Sequence, residues 1–155
     1  MDKVKVMKAC ISTITSVLAS RLGILYIPIV LVIVCNVVDY VTGLMAAPRR
    51  ADGHISSYKS MRGIFKKIAM WILIVVGAIV DVLLLYMAQV FGYTWPFAFV
   101  VAAVVAVWIV CNEIISILEN LIDIGINLPP FLLPLVKNIK KKAEDVVNVE
   151  EENDE

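Results

Sequence analysis

Three long apolar stretches, residues 22–47, 68–91 and 97–117, decide what this chain can fold into. A run of about 18 or more apolar residues reads as a membrane span, because a helix rising 1.5 Å per residue needs about 20 residues to cross ~30 Å of hydrocarbon. Inside hydrocarbon no water satisfies the backbone, so each span must be a helix. The expected fold is therefore an all-α integral membrane protein with three transmembrane helices. The chain is 61% hydrophobic, against about 45–50% for a soluble domain, and the excess lies in these three runs.

Each run carries an ionisable residue that is expensive to place. A charge near the middle of a span costs about 2.5–3.5 kcal/mol or more, so such a residue is read first as functional. In the first span Asn36, Asp39 and Gly43 fall at i, i+3 and i+4 spacing with Cys35, Tyr40 and Ala47. They form one small, polar face, and branched residues cover the rest. In the second span Asp81 lies about 20 Å from the inner end, and Gly77 lies one turn before it on the same face. The third span and its amphipathic extension to residue 123 carry Asn112, Glu113, Ser116, Glu119 and Asn120. All ten residues are candidates for intramembrane polar or oligomerisation contacts. For Asp39 and Glu113 the plainer reading is pairing with Lys66 or Lys67 near the inner interface.

Charge sets the expected topology. Net charge is zero, but the charges are segregated. Arg49, Arg50, Lys59, Arg62, Lys66 and Lys67 fill the loop and helix start between the first two spans. By the positive-inside rule this loop is cytoplasmic, and its cations contact lipid headgroups. Without aromatic-basic alternation, nucleic-acid binding is a poor competitor. Residues 92–96, Gly-Tyr-Thr-Trp-Pro, hold no charge. They are predicted as a very short outer turn, with Pro96 opening the third helix in its first turn. Ala98, Ala102 and Ala106 then make a small-residue packing stripe, and Gly125 is a natural helix stop. Residues 124–136, with Pro129, Pro130 and Pro134, read as a stiff segment at the inner interface.

The two ends are read separately. In residues 1–21 the uncharged window Ala9–Ser20 is too short to span, and Lys3, Lys5, Lys8 and Arg21 bracket it. The expected form is an amphipathic helix at the interface. The alternative is a fourth, weakly apolar span over residues 6–25, which would return the N-terminus to the inside. Residues 137–155 pass from basic to acidic and are expected to be a membrane-proximal anchor and a disordered cytoplasmic tail. The expected division is 1–21, 22–136 and 137–155.

Catalysis is not expected. Cys10, Cys35 and Cys111 are far apart, and His54 is the single histidine, so neither a metal centre nor a nucleophile–base pair is indicated. No cofactor is implied.

The order of short blocks carries a resemblance. Asp39-Tyr40-Val41-Thr42-Gly43 closes the first span. Gly63-Ile64-Phe65-Lys66-Lys67 precedes the second, which holds Asp81. Asn112-Glu113-Ile114-Ile115-Ser116-Ile117-Leu118-Glu119-Asn120 follows, and then Gly125-Ile126-Asn127-Leu128-Pro129. This pattern, over about residues 25–136, resembles the toxin-secretion/phage-lysis holin family. Each block is weak, and the four in order are fairly specific. The resemblance implies a phage or prophage protein of the bacterial inner membrane, multi-pass, with no catalytic residues. It implies self-association into lesions that release an endolysin, or in some relatives a toxin, without stable binding to either. The alternatives from other classes are a small ion channel subunit using the same acids, and a non-pore membrane anchor or accessory protein.

Overall fold

The computed structural model describes residues 3–49, 57–94 and 96–134, the side chains of 57–60 and 62 excepted. The regular structure among the described residues is all helical, with no strand. Helix α1 runs Lys3–Leu22 and α2 Tyr26–Ala46, with a 3-10 turn over Gly23–Leu25 between them and another over Ala47–Arg49. Helix α3 runs Ser57–Val90 and α4 Val100–Ile124. Three helical stretches are long and apolar enough to cross a membrane: Lys3–Arg49, Gly63–Val90 and Val100–Ile124.

The chain divides into two compact units, Met1–Val34 with Tyr58–Val110, and Cys35–Ser57 with Cys111–Glu155. In the first unit the buried apolar residues are Leu25, Val32, Ile74, Ala102, Ala106, Ile109 and Val110. Two of the three alanines of the expected stripe are thus fully covered. The third, Ala98, is exposed and precedes α4. In the second unit the described buried residues are Ala46 and three polar ones, Thr42, Glu113 and Asn120. One unit is packed with aliphatic side chains and the other largely with hydrogen-bonding groups.

Glycines terminate the helices. At the end of α3, Gly92 (φ 74°) follows the last turn. Its N–H bonds the Gln89 carbonyl, and the Tyr93 N–H bonds that of Ala88. At the end of α4, Gly125 (φ 94°) repeats the pattern, with bonds from Gly125 N–H to Ile122 and from Ile126 N–H to Leu121. Both are Schellman motifs, in which a left-handed residue lets two otherwise orphaned carbonyls find donors.

The start of α4 departs from the sequence expectation. Pro96 does not open the helix. Residues 96–99 are non-helical and the helix begins at Val100, so the connection from Val90 is nine residues long. The reason lies on α3, in the hydrogen bonds of Asp81 described below. The N-terminal segment is a 20-residue helix without a buried residue. The basic stretch after the first span belongs from Ser57 onward to α3. The tail expected over 137–155 lies outside the described residues.

Candidate functional site

The first polar site is in the unit that holds α3. The sequence that starts α4, Pro96-Phe97-Ala98-Phe99, offers no Ser, Thr, Asp or Asn to cap the helix locally, and its first turn has no acid. The first N–H groups of any helix need partners. Here Asp81, on α3, serves two of them. Its Oδ1 accepts from the Val101 N–H and its Oδ2 from the Ala102 N–H, each at 2.9 Å. The side chain is 4% exposed.

Magnitudes explain how an acid is tolerated there. Placement in a span costs about 2.5–3.5 kcal/mol on insertion scales. A hydrogen bond to a charged group contributes about 1.5–3 kcal/mol, and a helix N-terminus adds up to about 2 kcal/mol in partly buried geometry. Two such bonds at a helix end are therefore of the right size to offset the cost of the acid. Gly77 makes the approach possible. A Cβ on Gly77 would stand 3.0 Å from Ala102 Cα and 3.1 Å from its N.

The second polar site is in the other unit. Asn120 of α4 is 5% exposed. Its Nδ2 donates to Asp39 Oδ1 at 3.0 Å and to Thr42 Oγ1 at 3.1 Å, with a longer approach of 3.4 Å to the Asp39 carbonyl. The Thr42 hydroxyl donates back along α2 to the carbonyls of Val38 at 2.9 Å and Asp39 at 3.1 Å. Gly43 completes the wall, because a Cβ there would lie 3.7 Å from Asn120 Nδ2. Two blocks distant in sequence, Asp39–Gly43 and Asn112–Asn120, are thus joined by one amide.

The remaining candidates fall around these contacts. Glu113 is buried, 4% exposed, and Asn36, Asn112, Ser116 and Glu119 are half-buried. Arg49 and Lys66 are exposed, and Lys67 is half-buried. The side chains of Arg50, Lys59 and Arg62 lie outside the described residues. Among the described residues no group of three or more His, Cys, Asp or Glu is placed to hold a metal ion.

Sequence reasoning passed over Thr42 as a site residue and assigned Asp81 no partner. The Thr42 signal was present, since it lies three residues after Asp39 and one before Gly43 on the same helix. Backbone donors twenty residues away leave no signature in side-chain patterns.

Both sites lie within a longer similarity. Residues 16–141 match the family model of the bacteriophage holin family. The chain belongs to that family. Among relatives of this holin-family protein, an uncharacterized protein of Listeria innocua is 32% identical over 123 residues, covering 76% of this chain and 75% of the relative. An uncharacterized protein of Halalkalibacterium halodurans is 30% identical over 138 residues, covering 86% and 96%. An uncharacterized 14.9 kDa protein of Clostridium perfringens is 29% identical over 116 residues, covering 75% and 79%. No solved structure matches the chain. Holins are non-enzymatic membrane pore and lysis proteins, and the helical stretches of this chain make it a multi-pass membrane protein.

Proposed function

We propose that this protein acts as a phage or prophage holin. It accumulates in the bacterial inner membrane with its C-terminus in the cytoplasm. It then assembles with further copies of itself and opens lesions that release an endolysin, or a toxin, at a set time. The observation that carries the reading is the holin-family match over residues 16–141 on a chain with three membrane-length helical stretches.

The polar packing supports it. Three helices cannot enclose a wide pore, so a large opening needs many copies. Asp39, Asp81 and Glu113 are each held on helical faces, and hydration costs less than lipid for such groups. A lesion that wets these faces would bias the assembly toward the open state.

The test is induced expression in a bacterial host, following optical density with and without a co-expressed cytoplasmic endolysin. Growth arrest that becomes abrupt lysis only with the endolysin is the expected result. Ion leakage without endolysin release would instead indicate a narrow channel. No effect at verified membrane expression would count against any pore.

A further inference from the structure

The start of α4 is held by hydrogen bonds that have an alternative. Val101 and Ala102 give their N–H groups to Asp81, each at 2.9 Å. In a helix beginning at Pro96 the same two donors would bond the carbonyls four residues back, those of Phe97 and Ala98. One N–H cannot make both bonds well. Asp81 and residues 97–98 therefore compete for the same pair of donors.

Two further observations show that the observed state is held against a local preference. Phe99 has φ 63° and is the only described non-glycine residue with positive φ. A bulky side chain there is a conformational outlier that persists only when its surroundings impose it. The sequence Pro96-Phe97-Ala98-Phe99 also suits a first helical turn, because proline is favoured at the first position and its missing N–H is not needed. The Ala103 N–H already bonds the Phe99 carbonyl at 3.0 Å, so the helix is complete up to the point where Asp81 intervenes.

We propose that α4 exchanges between a short form starting at Val100, held by Asp81, and a long form starting at Pro96. In the long form Val101 and Ala102 turn to Phe97 and Ala98, Phe99 returns to the right-handed region, and α4 gains about one turn. The exchange releases the carboxylate. It also re-forms one wall of the apolar groove of about 270 Å³ that Phe99 lines with Val75, Ala78, Ile79, Val82 and Leu83. The long form therefore belongs with an Asp81 that has found another partner, such as water. That link to an open lesion rests on the proposed function, whereas the hydrogen-bond exchange does not.

The experiment is backbone NMR of the full chain in detergent micelles, reading the carbon shifts of residues 97–99 and the amide signals of Val101 and Ala102. The wild type is expected to show non-helical shifts at 97–99. Asp81→Leu removes the acceptor, and those shifts should move to helical values. Ala98→Pro added to that variant should cancel the change, because a proline at 98 disfavours helix at Phe97. Asp81→Asn keeps the side-chain size with one acceptor lost, and covers the case in which Asp81→Leu does not fold. It should displace the Val101 and Ala102 amide signals and give a partial helical shift. Helical shifts in the wild type would overturn the proposal. So would unchanged shifts at 97–99 in either Asp81 variant once its two amide signals have moved. The readout needs no lysis, so failure of the holin reading and failure of the exchange are separate results.

Discussion

Gly77 and Ala102 meet backbone to backbone, so closely that a Cβ placed on Gly77 would lie 3.0 Å from Ala102 Cα. The obstruction is backbone, which cannot swing aside as a side chain would. Gly77→Ala should push α4 off α3 and lengthen both Asp81 hydrogen bonds, costing about 1–3 kcal/mol as an overpacking change. Gly63→Ala is the control. Nothing lies within 4 Å of a Cβ there, and alanine gains up to about 1 kcal/mol over glycine in a helix. Unfolding in mixed micelles should separate the two substitutions in sign. Equal stability of both proteins would refute the close-approach account.

Asn120 is expected to be sensitive to chemistry more than to size. Its amide donates to Asp39 Oδ1 and Thr42 Oγ1. Asn120→Ala leaves those acceptors without this donor, at about 1–3 kcal/mol. Asn120→Asp is nearly isosteric but sets a second carboxylate against Asp39, and should be worse than alanine. A double-mutant cycle of Asn120→Ala with Thr42→Val should show coupling of about 0.5 kcal/mol or more. Strict additivity would show that the hydrogen bond at 3.1 Å contributes nothing.

Removing charge at Asp39 should separate electrostatics from packing. Asp39→Asn retains an oxygen that can accept from Asn120, so the fold should persist with a stability change below about 1 kcal/mol. If hydration of polar faces drives lesion opening, the onset of lysis should nevertheless shift under matched expression. The readout is the time of the optical-density break with endolysin present. Unchanged timing in both Asp39→Asn and Asp81→Asn would remove the acids from the mechanism.

Gly125→Ala tests the stop of α4. The residue sits at φ 94°, where a Cβ costs about 1–2 kcal/mol. The last turn should fray, and amide exchange of Gly125 and Ile126, bonded in the native chain to Ile122 and Leu121, is the measurement. Faster exchange confined to this end is expected. Protection equal to wild type would mean that the motif does not depend on glycine.

What was legible in the sequence follows from how local each cause is. The apolar stretches and the Gly125 stop are written in adjacent residues, and the structure contains both. The start of α4 is not. Proline statistics place it at Pro96, but an acid on another helix takes the donors that a first turn would use. The meeting of Asp39 and Thr42 with Asn120 was hidden for the same reason, since helical spacing groups residues on one face without saying what that face touches. The short outer turn failed with the helix start, because the four residues removed from α4 became connection.

The Gly23 joint bears on how the protein enters a membrane. Gly23 has φ 51° and open space where a Cβ would be, and α1 on its far side buries no residue. Side-chain burial therefore does little to fix α1. The aliphatic packing around Val32, Ile74 and Ala106 takes no buried residue from α1. Insertion of α1 is then a contest between lipid, which accepts Ile11, Ile14 and Val17, and water, which retains Lys3, Lys5 and Lys8. A bilayer-crossing α1 would carry those three ammonium groups into hydrocarbon, whereas an interfacial α1 leaves them in water.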